Sequence, residues 1–147
     1  MNICADAGFL IGLYDQTDPY HEDASRYFGG LFESRGHRLV IPWPVLYEAV
    51  STRLARRRNA LVLFERHWRY LLLRQQLELL SDLPFRDGVV DECFAELGRD
   101  HYRDLSAVDR ILRRMLSDTH LRIDAFITFN ERDFADVCRK FGRQLYS

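Results

Sequence analysis

Cysteine is scarce in this chain and badly placed for structural use. Cys4, Cys93 and Cys138 are odd in number and far apart, with no CxxC pair, which excludes a disulfide framework and a cysteine zinc site and leaves small buried apolar residues as their expected role. None of the five histidines has another four residues away, so a helical zinc pair is excluded as well. No GxGxxG or P-loop pattern occurs, and Gly29-Gly30 is a bare turn signal. No apolar run approaches the ~20 residues that span a bilayer, and the N-terminus shows no basic leader with a cleavage region; a cytoplasmic protein without a membrane partner is the expectation. Repeats, low-complexity tracts and linkers rich in Pro, Gly or Ser are also missing. Residues 1–147 therefore read as a single domain, large enough to bury about two-thirds of the surface that the unfolded chain exposes.

Lysine is nearly absent too: Lys140 stands against 20 arginines. Net charge is −1, but Ser51 to Gln75 holds seven arginines and one glutamate. One region is basic and the remainder is acidic.

What is present is an alternation of two periods. Short apolar runs at Asn2–Ala5, Arg38–Ile41, Leu77–Leu80, Ala125–Phe129 and Gln144–Tyr146 read as buried strands. Helical spacing fills the intervals at Gly8–Tyr14, His21–Phe32, Val45–Arg57, Ala60–Gln75, Gly88–Leu97, Ser106–Asp118 and Arg132–Phe141, with the third and fourth helices separated near Asn59. Strand and helix in alternation predict a parallel sheet covered by helices on both faces. In such sheets functional groups gather beyond the carboxyl ends of the strands.

The opening stretch NICADAGFLIGLYD places Asp6 at such an end, in otherwise apolar surroundings. Glu48 lies in what reads as the first helical turn after the second strand, Asp109 near the start of the helix at Ser106, and Asn130 and Asp133 after the fourth strand. Each acid has a purely structural reading. Asp6 caps the following helix, Glu48 is a favourable anion in a first turn, and Asp109 is the return half of a Ser106 capping box. Gathered at one rim, however, carboxylates repel one another unless a cation sits among them. Hard oxygen donors without His or Cys favour Mg²⁺ or Mn²⁺, and metal-assisted phosphodiester hydrolysis is the chemistry that suits such a set.

The segments ADAGFLIGLYD, PWPVLYEAVSTRL, LSAVDRILRRML and RIDAFITFNERDF, in this order, resemble the PIN-domain ribonucleases, especially the VapC-like toxins of toxin–antitoxin pairs. The resemblance runs from Ile3 to Phe134, and Thr128, Asn130, Asp133 and Phe134 match the family's T-x-[DN]-x-x-D-F ending. It implies a PIN-like α/β/α sandwich around a five-stranded parallel sheet and a Mg²⁺- or Mn²⁺-dependent cut in RNA. The family's three leading acids fall on Asp6, Glu48 and Asp109. Asn130 stands where many members have Asp, so Asp133 becomes the extra carboxylate, and Thr128 orients a water or an acidic ligand. The loss of one charge at Asn130 weakens any second ion. The resemblance further implies a cognate antitoxin and a second protomer, both meeting the helix pair in the middle of the chain.

Arg53, Arg56, Arg57 and Arg58 read as closing the helix that carries Glu48. Guanidinium groups fork onto phosphate, so these four guide an RNA backbone to the rim or else form a partner surface. Two further classes compete with the nuclease reading. One is a PIN-like module that binds RNA or a partner without cutting, motivated by Asn130. The other is a phosphoacceptor receiver domain, which requires a lysine at the end of its last strand; Lys140 lies in a helical stretch instead.

Overall fold

The computed structural model describes residues 1–147. Five strands, β1 (Asn2–Ala5), β2 (Arg38–Pro42), β3 (Leu77–Leu80), β4 (Ala125–Ile127) and β5 (Gln144–Tyr146), form one sheet in the order β3-β2-β1-β4-β5. Every neighbouring pair is parallel; Ile3 stands beside Leu39 on one side and Ala125 on the other. Seven α-helices lie between them: α1 (Ala7–Tyr14), α2 (His21–Tyr27), α3 (Trp43–Thr52), α4 (Arg58–Leu73), α5 (Val89–Glu96), α6 (Ala107–Ser117) and α7 (Glu131–Lys140).

The strand order fixes where the helices go. From β1 the chain steps outward through β2 to β3, then returns past β1 to lay down β4 and β5 on the other side. Crossovers between parallel strands are right-handed, so a reversal of direction sends α1–α4 and α5–α7 to opposite faces. The packing agrees: α1 lies against α2, α3 and α4, whereas α6 lies against α5 and α7. β1 and β4, covered on both sides, are the most deeply buried strands, with Ile3, Ala5, Phe126 and Ile127 shielded from solvent. Cys4 and Cys138 are buried as free thiols and Cys93 is half-buried.

Several expected boundaries move, for local reasons. The helix expected at Val45–Arg57 runs instead over Trp43–Thr52 with Pro44 in its first turn, a position where a missing N–H costs no intrahelical bond. Glu48 consequently sits in the second turn of α3. The helix pair breaks at Arg53–Arg57, not near Asn59: a 3-10 turn over Leu54–Arg56 drives Leu54 into the core, and Arg57 is extended before α4 begins. Arg53, Arg56 and Arg57 thus occupy the junction, and Arg58 opens α4. The helix expected over His21–Phe32 is α only to Tyr27 and continues as a wide π-type turn over Phe28–Ser34, where Gly29 and Gly30 weaken the α preference. In α4, Phe64 and Trp68 pack partly into the core and Leu71 is buried, but Leu72 turns outward.

Candidate active site

The sheet's order reverses between β1 and β4, and their carboxyl ends diverge into the crevice that this topology creates. Asp6 follows β1 there, its backbone N–H donating to the Ile127 carbonyl at 3.2 Å. Its side chain is buried and doubly engaged. Oδ1 accepts from the Phe9 N–H at 2.7 Å, which caps α1, and Oδ2 accepts from Thr128 Oγ1 at 2.5 Å. Capping uses one oxygen and the threonine bond the other, and the carboxyl still borders the crevice. Gly8 keeps it open. A Cβ at that position would stand 3.4 Å from Oδ1 and 3.6 Å from Oδ2, covering the carboxyl face.

A relay of hydrogen bonds continues from Thr128. Its Oγ1 accepts from the Asn130 N–H at 2.9 Å, and Asn130 Nδ2 donates to Asp133 Oδ2 at 2.5 Å. Asp133 is buried in the first turn of α7, and its other oxygen lies 3.5 Å from Arg132 Nε. Asn130 itself is exposed at the crevice.

Asp109 holds the third turn-forming position of α6 through a reciprocal capping box. Its backbone N–H donates to Ser106 Oγ at 3.0 Å, while its Oδ2 accepts from the Ser106 N–H at 2.9 Å and from Ser106 Oγ at 2.7 Å. An aspartate completes this box although Glu or Gln is usual there, and Asp109 Oδ1 takes no part in it. Glu48 projects from the exposed face of α3.

Electrostatics ties the three together. Burial pushes the Asp6 carboxyl from an ordinary 3.8 up to about 6; the bonds from Thr128 and Phe9 pull it down, and the charges of Asp109 and Glu48 push it up again. Burial likewise raises Glu48, with Asp109 adding to the effect. The three acids thus share one rim and feel each other. They do not close into a cage: no three Asp, Glu, His or Cys side chains of the molecule converge tightly enough to hold an ion between them. The donor set still fits Mg²⁺ or Mn²⁺, which keep several waters and take only one or two carboxylates with substrate phosphate. It does not fit an ion held by protein ligands alone.

The arginine cluster divides into two pairs. Arg53 Nη1 donates to Asp18 Oδ2 at 2.7 Å, and its Nε lies 3.8 Å from Asp15 Oδ2, which also lies 3.4 Å from Arg57 Nε. Burial acts to raise Asp15, but two bonds from Thr17 and the charges of Arg57 and Arg53 outweigh it and hold the carboxyl below its usual range. Arg56 and Arg58 are exposed and join no ion pair of the chain.

A cleft of about 410 Å³ beside Asp6 collects residues that the sequence reading passed over: Gly8, Asp18, Tyr20 and Phe129 line it with Asp6, Asn130 and Arg53. The stretch DQTDPY carried a signal, since Asp15 and Asp18 each accept from a backbone N–H two residues on, at 3.0 Å in both cases, the mark of Asx turns. Which element such a turn faces is invisible in sequence.

No protein-family model matches the chain, and no curated protein matches it in sequence. Its fold does match a solved structure, that of Mycobacterium tuberculosis VapC20, a sarcin-ricin loop cleaving toxin, with a TM-score of 0.61 at 18% sequence identity over 91% of this chain and 94% of the other. The five-stranded parallel sheet and the helices on its two faces therefore share the fold of that VapC toxin.

Proposed function

We propose that this chain is a divalent-metal-dependent endoribonuclease that hydrolyses RNA phosphodiesters as the toxin of a type II toxin–antitoxin pair. The observation that carries this reading is Asp6: a buried carboxyl, raised by burial and by Asp109 and Glu48, left uncovered by Gly8 at the switch point of a VapC-like sheet. A cation facing such a group favours its ionised form. Asp6, Glu48 and Asp109 would face the ion, one or two of them directly and the rest through its waters, with Asp133 as the further carboxylate of the set, and the ion when bound supplies acidification of a water and neutralisation of phosphate charge.

The chain's own residues do the rest. Thr128 holds the Asp6 carboxyl at a fixed angle, and Asp133 fixes Asn130 through its amide N–H, leaving the Asn130 carbonyl oxygen as the neutral donor of the set. Neutrality there makes a second ion weaker than in an all-acid site. Arg56 and Arg58, free of internal partners, meet the RNA backbone, while Arg53 and Arg57 hold the loop of Asp15 and Asp18. An antitoxin segment and a second protomer dock on the α3–α4 side, and the protein acts in the cytoplasm.

Incubation with single-stranded and hairpin RNA in Mn²⁺ or Mg²⁺ tests this. Cleavage that disappears in the Asp6→Asn, Asp109→Asn double variant is the expected result; intact RNA at saturating protein and metal sinks it. That second outcome would favour a module that binds RNA or a partner without cutting, a reading motivated by the missing charge at Asn130 and the open spacing of the acids.

A further inference from the structure

Tyr20 and Phe129 lie face to face, with ring centroids 4.4 Å apart and planes 4° from parallel. Neither belongs to a regular element, although Phe129 also packs against the core beside Phe9. Tyr20 is the residue before α2, and Phe129 lies between Thr128 and Asn130 on the loop after β4. Both line the cleft that holds Asp6 and Asn130, and Tyr20 is 45% exposed. A tyrosine left half in solvent, beside a candidate catalytic acid, contributes little to the fold for the area it presents.

The local sequence keeps the pair in place. Gly12 of α1 lies beneath it: a Cβ there would come within 3.4 Å of both Phe129 Cε2 and Tyr20 Cβ, so the missing side chain lets the pair sit down on the helix. His21 Nδ1 is 2.9 Å from the Gly12 carbonyl. On the other flank the Tyr20 N–H donates to Asp18 Oδ1 at 3.0 Å, and Asp18 Oδ2 is held by Arg53 at 2.7 Å. The platform is thus braced from α1 and from the α3–α4 junction, with its rim in the same cleft as the acid.

The geometry points to a nucleobase subsite in which Tyr20, backed by Phe129, stacks an unpaired base of the RNA next to the scissile phosphate and so positions that phosphate over Asp6. This rests on the ribonuclease reading and deepens it by naming single-stranded or flipped-out nucleotides as the substrate. Every base offers a π-face to an aromatic ring, and loss of one stacking partner weakens single-strand binding by roughly 5- to 150-fold.

The test uses the full chain and an RNA oligonucleotide carrying 2-aminopurine at each position in turn, with a matched series carrying an abasic unit. Binding is followed by 2-aminopurine quenching in the Asp6→Asn background, and cleavage by KM and kcat in the parent. At one position next to the cut, quenching is expected, to be lost in Tyr20→Leu and restored in Tyr20→Phe. KM is expected to rise by roughly 5- to 150-fold in Tyr20→Leu on intact RNA, with no further loss on RNA abasic at that position. Equal losses on intact and abasic RNA, or no loss at all, overturn the subsite while leaving the ribonuclease in place. If the parent cuts nothing, the ribonuclease reading falls, and quenching alone decides the subsite: dependence on the Tyr20 ring supports it and absence of quenching overturns it. Matching thermal unfolding of Tyr20→Phe and Tyr20→Leu separates stacking from misfolding.

Discussion

Thr128 Oγ1 donates to Asp6 Oδ2 at 2.5 Å, joining two buried residues 122 positions apart in the chain across the β1–β4 crevice. That one bond orients the candidate acid, lowers the cost of its ionisation and ties the two central strand ends together.

Thr128→Val keeps the shape and removes the hydroxyl. It leaves a buried carboxyl oxygen and the Asn130 N–H without a partner, which costs about 1–3 kcal/mol of stability. The Asp6 pKa is expected to rise further, since the Thr128 bond now holds it down. Urea unfolding checks the first effect, and a shift of the acid limb of the cleavage–pH profile to higher pH checks the second.

Asp6 also makes stability depend on pH. Its folded pKa of about 6 lies above the ordinary 3.8, so between these values the folded state holds a proton that the unfolded state has released. Stability therefore falls as pH rises from about 4 to 6, by on the order of 3 kcal/mol for this group. Asp6→Asn is expected to be more stable than the parent at pH 8, with the difference shrinking towards pH 4. A cation that binds the ionised site reverses the penalty: Mn²⁺ should raise the parent's Tm at pH 7.5 and leave the Asp6→Asn, Asp109→Asn variant unmoved. Equal shifts in both proteins would count against the three acids as ligands.

The capping role of Asp109 and its proposed role at the metal separate cleanly. Ser106→Ala breaks the capping box but keeps the carboxylate, and should lose about 1 kcal/mol of stability while cleavage persists at temperatures where the protein is folded. Asp109→Asn should lose cleavage, and less of the stability. Chemical unfolding and RNA cleavage measured on both variants decide the matter.

Within the arginine cluster, the paired and unpaired members are expected to behave differently. Arg53→Ala releases Asp18 and strips Asp15 of one of its two cations, so limited proteolysis should increase between α1 and α2. Arg56→Ala and Arg58→Ala should leave stability within about 0.5 kcal/mol, and each should flatten the dependence of RNA affinity on salt by about one phosphate contact.

The expected fold and the observed one coincide where periodicity speaks. Apolar runs such as Leu39–Ile41 and Ala125–Ile127 carry strand signals because strands buried on both faces need continuous apolar side chains. Boundaries failed where a local rule met a tertiary demand. Pro42 ends β2 and Pro44 lies in the first turn of α3, which tolerates proline, so the helix starts two residues before the expected Val45 and Glu48 falls in its second turn. The break at Arg53–Arg57 leaves no local signal because it depends on burying Leu54 and on the distant Asp15 and Asp18.

From sequence alone came the single parallel sheet, the helices that alternate with its strands and the acids at strand ends, since each follows from local periodicity and from the rule that crossovers are right-handed. Tertiary structure alone decided that Thr128 grips Asp6, that Asp109 and Glu48 act on its charge without forming a cage, and that Tyr20 stacks on Phe129 in the same cleft. Contacts of that kind join residues from distant elements, and a side chain's neighbours across a crevice leave no imprint on the spacing of residues along the chain.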